Sequence, residues 1–464
     1  NIQTPKANFS PRVGLAYSVD SKTVIRAAFG TFYGTIFQNL GGQVAYPGYD
    51  QTQQYNNLGT GVAQPFSLSQ GMPLPLTPDV TASFAAIPNP TDRSRAGTPY
   101  SISGISFDKL SPMPLVQQWN LGVQRQIPLG IVVEANYVGN HSLHLPYNIG
   151  VNIVPQSQWT AVAQANTTQA TQLAKPFPAL NTFTVVRHVG MSNYNSLQLM
   201  GRRQFRSSLM ILASYTFAKA LDDGSTLYNF SAPGGSANAQ YSSDPALKRL
   251  DYAVSNIDIK HRATIAIQYT TTHGPWWMKG WRVAPTFVGQ TGLPINITQN
   301  NLIPNVSQQR PNGQVKDILV KPYIDGNVLR YFKKVETAPG TTDYPLQPSG
   351  PIFNPSRTVL LTPAALGTMP RDAARAYGVI QLDASVSKTF TVWRELQFQF
   401  RVDAFNVLNH TNFNAPSAGL TAAADQIGTS GSYVANFRAG SNSFGQINST
   451  KDPRNLQLVG RFTF

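Results

Sequence analysis

Hydrophobic residues alternate with polar or small residues along much of this chain, at the two-residue spacing of a β-strand and not at the 3.6-residue spacing of a helix. Val13, Leu15 and Tyr17 fall on one side of an extended segment at 11–19. After the polar residues at 20–22, the alternation resumes over 23–37. Two alternating segments around a three-residue polar turn predict a β-hairpin.

The same unit recurs to the end of the chain. We predict eleven strands, at 11–19, 23–37, 115–127, 131–145, 193–204, 208–221, 258–271, 280–298, 378–390, 394–409 and 455–464.

The connections between these strands alternate in length. Five are short, from three to eight residues, and the others are the long stretches 38–114, 146–192, 222–257, 299–377 and 410–454, for which we expect irregular loops. Outer-membrane barrels combine short periplasmic turns with long extracellular loops, whereas a soluble sandwich has no reason to do so. Aromatic residues also cluster near the short turns, as in an interfacial girdle: Phe205, Trp276, Trp277, Trp281, Phe390, Trp393, Phe462 and Phe464.

The predicted fold class is therefore all-β, an antiparallel transmembrane outer-membrane β-barrel. Eleven strands suggest the C-terminal half of a barrel of about 22 strands, the size of the plugged transporters. We expect residues 1–464 to be a single domain, with the plug and the N-terminal half of the barrel outside this sequence. Because unpaired strand edges are costly in lipid, this part should not form a stable barrel by itself.

Composition narrows the choice of function. Charged residues make up 12% of the chain, against about 25% in soluble domains. The absence of cysteine excludes disulfides, thiol catalysis and thiolate metal sites. The net charge of +15 is dispersed and not collected in blocks, which disfavours nucleic-acid binding and is compatible with attraction to acidic lipopolysaccharide.

Several segments resemble the barrel of TonB-dependent transporters of the Oar-like group. They are the hairpin at 10–17 and 24–30, the pair at 194–199 and 213–219, and the segments 258–262, 290–294 and 401–413. The last segment, RVDAFNVLNHTNF, is the most specific match. Two residues differ from those commoner in the family: Asp403 replaces Glu in this segment, and Lys260 replaces Arg in 258–262.

The resemblance implies uptake of a bulky nutrient, such as an oligosaccharide or a peptide, across the bacterial outer membrane. The implied partners are outer-membrane lipid and lipopolysaccharide, the barrel-assembly machinery, an unknown nutrient cargo, and TonB through a region that this sequence does not contain. Two alternatives stay open: an Oar-like surface barrel for adhesion or envelope structure without transport, and a secreted soluble β-protein.

Two sets of candidate residues follow from these interpretations. Arg26, Gln397, Gln399, Arg401 and Asp403 alternate with apolar neighbours, so we predict that they face the lumen and contact cargo or plug. The blander interpretation is that they only solvate the lumen or pair there. By resemblance, Gly460, Phe462 and Phe464 form a C-terminal barrel-assembly signal.

No arrangement of residues indicates an enzyme, a cofactor or a metal. His141 and His144 should point to opposite faces of a strand, which disfavours a shared metal ion. The segment Asp222, Asp223 and Gly224 could bind calcium, but a solvated turn is the favoured interpretation.

Overall fold

In the computed structural model of the protein, the described residues are 8–34, 91–97, 105–107, 112–205, 208–224, 245–304, 306, 308–334, 343–350, 352–353, 358, 360–362, 364–393, 395–420, 437–438 and 443–464. Its main sheet contains the strands β1 Arg12–Ser18, β2 Thr23–Tyr33, β3 Leu115–Ile127, β4 Ile131–Val151, β5 Phe183–Phe205, β6 Leu209–Asp222, β7 His261–Thr270, β8 Trp281–Gln290, β9 Val379–Trp393, β10 Leu396–Phe405 and β11 Asn455–Thr463.

Each of these strands pairs antiparallel with the next one along the chain. The result is one continuous meander whose spatial order is the order of the sequence. The eleven predicted strands and their order are therefore confirmed. Of the predicted strand positions, 35–37 and 394 lie outside the described residues.

Four of the strand boundaries were predicted wrongly for identifiable reasons. β4 continues to Val151 and β5 begins at Phe183, past a register shift near His144, whose φ of 57° interrupts the alternation. β8 ends at Gln290 because Gly292 approaches the Ala376 carbonyl so closely that a Cβ atom would collide with it. β9 includes Trp393, which shortens the predicted turn at 391–393.

The register gives the sheet two chemically different faces. Tyr17 pairs with Ile25, Ile25 with Val123, and Val123 with Ala135, so apolar side chains continue from strand to strand on what we call the apolar face. One residue along each strand, Arg26 pairs with Gly122 on the opposite, polar face. This is the consequence of period-2 alternation kept in register across the whole sheet.

The short connections all lie at one end of the sheet, here called the turn end, and the long ones lie at the other, the loop end. The β3–β4 turn is the 3-10 segment Pro128–Gly130, in which Leu129 and Gly130 both have positive φ. The predicted asymmetry of the connections is confirmed.

The long connections are not irregular loops, contrary to expectation. Their described parts within 152–182, 223–260, 291–378 and 406–454 pack together, and we call them the loop cluster. It contains the helices α1 Trp159–Ala165 and α2 Thr168–Leu173, the 3-10 segments Gln156–Gln158, Pro245–Leu250 and Val315–Asp317, and the short strands Ala253–Val254, Pro294–Ile295, Thr298–Gln299, Leu319–Asp325, Val328–Phe332, Asp343–Tyr344, Ile352–Phe353, Leu360–Thr362, Ala374–Arg375, Gly419–Leu420 and Phe437–Arg438. The first long connection contributes the 3-10 segment Arg93–Gly97 and the strand Ile105–Phe107, which runs parallel to β5.

Two hydrophobic cores join different connections within the loop cluster. One packs Ile318 and Phe332 against Phe444, which comes from another connection. The other packs Trp159 against Leu247 and Ile303, so it unites three connections. Sequence periodicity has no means of detecting such contacts, because the partners are distant in the chain. Among the described helices, none is long and apolar enough to span a membrane, a finding that says nothing of a β-barrel.

Candidate functional site

The predicted lumen residues on β10 share one face, as alternation requires. Gln397, Gln399, Arg401 and Asp403 pair with Thr391, Thr389, Ser387 and Ser385 of β9. The Arg401 Nε and the Asp403 Oδ2 lie 2.9 Å apart, and the Gln399 amide donates to the Thr389 hydroxyl at 3.5 Å. The four side chains therefore form a continuous polar strip.

Arg26 lies on the same face but far from that strip. Seven strands separate β2 from β10. At about 4.8 Å between neighbouring strands, the distance along the sheet is roughly 38 Å. The five predicted residues therefore form two separate groups on the polar face. Their contact with cargo or plug stays a prediction.

Arginine and glutamine pair across neighbouring strands at three places on the polar face. Arg26 Nη1 donates to Gln124 Oε1 at 3.0 Å, Arg262 Nη1 donates to Gln290 Oε1 at 3.1 Å, and Arg282 donates to Gln268. A neutral amide orients a guanidinium group without cancelling its charge, so these arginines remain positive. The polar face can therefore contact anionic or hydroxyl-rich groups.

Aromatic side chains gather at the turn end, as predicted. Trp276, Trp277, Trp281 and Trp393 are exposed there, while the side chain of Phe205 is outside the description. Sequence reasoning missed Lys388, which is on the apolar face opposite Phe400 but is buried. Its Nζ donates to the Trp276 carbonyl at 2.8 Å and to the Trp277 carbonyl at 3.3 Å. The backbone of the β7–β8 turn thus satisfies a cation at the edge of the apolar face.

The predicted assembly residues occupy the last strand. Phe462 pairs with Phe398, and their ring centroids are 4.8 Å apart. The Phe398 ring also covers Gly460, where a Cβ atom would lie 3.4 Å from it. Phe464 follows the strand and is 94% exposed. Their part in barrel assembly stays a prediction.

The solvated-turn interpretation of Asp222 and Asp223 was wrong. Both residues are buried at the loop end of β6. Arg371 Nη2 lies 2.5 Å from Asp222 Oδ1, and Lys248 forms an ion pair with Asp223. Asp223 also accepts a hydrogen bond from the Met191 backbone at 2.9 Å. These contacts stabilise both charges with protein groups; the described residues contain no group of three or more His, Asp or Glu placed to hold a metal ion.

A third ion pair, with a buried carboxylate, lies nearby at the same end of the sheet. Asp258 Oδ1 accepts a hydrogen bond from the Ala220 backbone at 2.6 Å, and its other oxygen pairs with Arg375. Tyr147, at the loop end of β4, donates to Asp251 at 2.7 Å. Arg371 and Arg375 thus fix the segment around 371–375 to strand ends, a role that no local pattern in the sequence indicates.

The segment 401–413, the most specific of the sequence matches, has a structural role at the end of β10. Asn406 has a φ of 51°, accepts from the His410 backbone at 3.0 Å and donates to the His410 carbonyl at 3.0 Å. Asn412 pairs with both backbone groups of Ile380 in β9, at 2.9 and 3.0 Å. The two asparagines therefore close the exit from β10 against the neighbouring strand.

A buried tyrosine connects the hairpin at 319–332 to the core of the loop cluster. Burial raises the pKa of Tyr344 to about 12, so its hydroxyl stays protonated. The hydroxyl donates to the Phe444 carbonyl at 2.8 Å and accepts from Arg330 at 3.2 Å.

Among solved structures, the chain is similar to the outer membrane transporter YddB from Escherichia coli, with 11% identity, a TM-score of 0.45 and coverage of 98% of this chain and 41% of that one. The chain is also similar to the FrpB iron transporter from Neisseria meningitidis, with 8% identity, a TM-score of 0.40 and coverage of 98% of this chain and 38% of that one. For the ferripyoverdine receptor of Pseudomonas aeruginosa, the identity is 10%, the TM-score is 0.39, and the coverage is 98% of this chain and 33% of that one. The chain thus spans about two fifths of these proteins or less.

No curated protein sequence matches the chain significantly. A family profile described as "Outer membrane beta barrel domain" matches residues 1–457. That match extends over nearly the whole chain and covers β1 to β10 completely and the first residues of β11. The chain belongs to the outer membrane β-barrel domain family and is a protein of the bacterial outer membrane.

Proposed function

We propose that this chain is the C-terminal half of the barrel of a TonB-dependent transporter that takes up a bulky nutrient. The single observation that carries the proposal is the eleven-strand meander with one apolar and one polar face. Such a sheet suits a barrel with lipid outside and an aqueous or plugged interior. The resemblance of 401–413 and the other segments to the Oar-like group adds the energy source.

The proposed barrel is larger than the described sheet. Within the described residues, β1 pairs only with β2, and β11 pairs only with β10. A transmembrane sheet must close on itself, because lipid offers no partner to open edges. A barrel of about 22 strands is wide enough to hold a plug, and this chain would supply half of it.

In this barrel, the predicted residues take definite places. Arg26, Gln397, Gln399, Arg401 and Asp403 line the lumen and contact plug or cargo. Gly460, Phe462 and Phe464 are read by the barrel-assembly machinery. The loop cluster lies outside the cell, where its long connections are placed to select cargo, and the role is transport and not catalysis.

Cysteine labelling tests the orientation of the two faces. The chain has no cysteine, so a single substitution introduces the only reactive thiol of its 464 residues. We expect Gln399→Cys in intact cells to react with a small water-soluble maleimide, and Phe400→Cys, its neighbour on the apolar face, to react poorly. Equal labelling of both positions would contradict the assignment of faces.

Uptake measurements test the function itself. Cells that lack the gene should lose uptake of one member of a panel of labelled oligosaccharides and peptides. Complementation should restore that uptake only when TonB is present and the proton gradient is intact. If the deletion strain takes up the whole panel normally but attaches poorly to surfaces, the result contradicts transport and supports the adhesion function.

A further inference from the structure

The apolar face carries an open groove of about 590 Å³ that crosses β3 to β7. Small residues form its floor, among them Ala135, Gly201 and Ala213, while Leu199 and Tyr215 stand beside them. A Cβ atom at Gly201 would meet no other heavy atom within 4 Å, which shows that the space above this residue is empty.

The register explains the position of the groove. Val133 pairs with Gly201, and Gly201 with Ala213, so two small side chains lie next to each other in one row across the sheet. In the next row, Leu199 pairs with Tyr215, and both are exposed. Small residues in one row beside large ones in the next leave a channel that apolar chains can enter.

A positively charged side chain, that of Arg125, lies at one end of this channel. Arg125 lines the groove, pairs with Val133 and lies three residues before the β3–β4 turn that begins at Pro128. Its side chain is exposed on a face that carries mostly apolar side chains. Asp20, in the β1–β2 turn, interacts electrostatically with Arg125, but its carboxylate oxygens accept hydrogen bonds from the Lys22 backbone at 2.7 Å and from the Thr23 hydroxyl at 3.2 Å.

The charge at the turn end of the apolar face has one sign. Arg203, next to the groove floor on β5, and Lys388 on β9 lie on this face as well, close to the turns. Within the described strands β1 to β11, the register places no Asp or Glu on this face; Glu134, which borders the groove, belongs to the polar face. Basic residues at a membrane interface attract anionic lipid headgroups.

We infer that the groove binds an anionic glycerophospholipid of the periplasmic leaflet, with one acyl chain in the channel and the phosphate at Arg125. The short turns of such barrels face the periplasm, which places Arg125 at the headgroup level of the phospholipid leaflet. This site is independent of cargo and of energy coupling, so it stands or falls separately from transport.

Native mass spectrometry of the protein purified in detergent tests the inference. The probes are phosphatidylglycerol and phosphatidylethanolamine with identical acyl chains. We expect phosphatidylglycerol to be retained preferentially. Arg125→Gln should weaken its binding about fivefold, the effect of one interfacial charge. Ala213→Leu fills the channel and should reduce retention of both lipids.

Two matched controls separate the site from general effects. Arg202→Gln removes the same charge on the polar face, and Ala404→Leu adds the same bulk on the apolar face of β10; both should bind phosphatidylglycerol like the unmodified protein. Circular dichroism confirms folding of each variant. The inference would be overturned by equal retention of the two lipids or by equal losses of binding in the control variants. Retention of lipopolysaccharide in place of phosphatidylglycerol would overturn it as well.

Discussion

The sheet and the loop cluster use apolar residues in opposite ways. On the sheet, large side chains such as Leu15 and Leu458 are more than 60% exposed. In the loop cluster, Ile297 and Phe332 are completely buried. The sheet is therefore adapted to lipid, where its outer side chains need no protein cover, and the loop cluster is adapted to water, where they do.

Charged residues differ between the two regions as well. On the sheet, Arg401 and Asp403 form an ion pair at a partly open face. In the loop cluster, Arg371 is 1% exposed and its partner Asp222 is also buried. Substitutions in the two regions should therefore affect different measurements.

Removing the buried cation should loosen the loop cluster and leave the sheet intact. In Arg371→Met, the buried carboxylate of Asp222 loses its ion pair with the guanidinium of Arg371, and breaking a buried pair costs about 3–5 kcal/mol. Limited proteolysis should cut within 291–378 much faster, while the barrel keeps its resistance to unfolding in detergent. Arg249→Met, at an exposed position of the same cluster, should behave like the unmodified protein. Simultaneous loss of barrel and loops would show that the two regions unfold as one.

A charge on the apolar face should act on the sheet first. Phe400 lies in the middle of β10 and is 43% exposed on that face. Phe400→Arg should destabilise the sheet in a membrane by up to about 2–4 kcal/mol, the cost that an arginine reaches at the bilayer midplane. The amount of folded protein in the outer membrane measures this effect. The neighbouring Gln399→Arg, on the polar face, should assemble normally, and similar defects in both variants would refute the assignment of faces.

The junction between the two regions should respond to an intermediate degree. Asn412 is buried and satisfies both backbone groups of Ile380. Asn412→Ala leaves these groups without side-chain partners, at about 1–3 kcal/mol. The midpoint of thermal unfolding in detergent should fall, whereas Asn414→Ala, two residues on and partly exposed, should leave it unchanged. An unchanged midpoint for both would show that the motif has another role.

The contrast also explains what the sequence could predict. Alternation is a local property, so the strand order, the two faces and the side of Gln399 follow from it. Hairpin turns bring sequence neighbours together, and a meander needs no further information. His144 and Gly292 interrupt the alternation, and the strand boundaries were wrong at both places.

The loop cluster depends on contacts that no local pattern encodes. Arg371 contacts Asp222, which is 149 residues away in the sequence, and Tyr344 contacts Phe444, which is 100 residues away. Asp222 and Asp223 have the composition of a solvated turn, and only their distant partners make burial favourable. The candidate lumen residues were placed on the correct strands, but their separation on the sheet depends on strand count as well as on alternation.

The hairpin at 319–332 in the loop cluster should show the smallest effect. Asp325 accepts from Lys334 and lies 2.7 Å from Arg330; the Lys334 hydrogen bond, followed by that from Arg330, holds the pKa of this carboxyl below its ordinary value of 3.8. Because the folded pKa is depressed, the stabilisation is complete above the ordinary value and is lost as the pH falls through the folded pKa. The side chain is about one third exposed, so solvent screening limits the effect to less than about 1 kcal/mol. Protection of the amides within 319–332 against hydrogen exchange, corrected for the pH dependence of the intrinsic exchange rate, should therefore fall modestly at pH 3 in the unmodified protein. Asp325→Asn should already show the lower protection at pH 7. Asp317→Asn, exposed in the preceding 3-10 segment, serves as the control, and equal pH dependence in all three proteins would remove the ion pair as the cause.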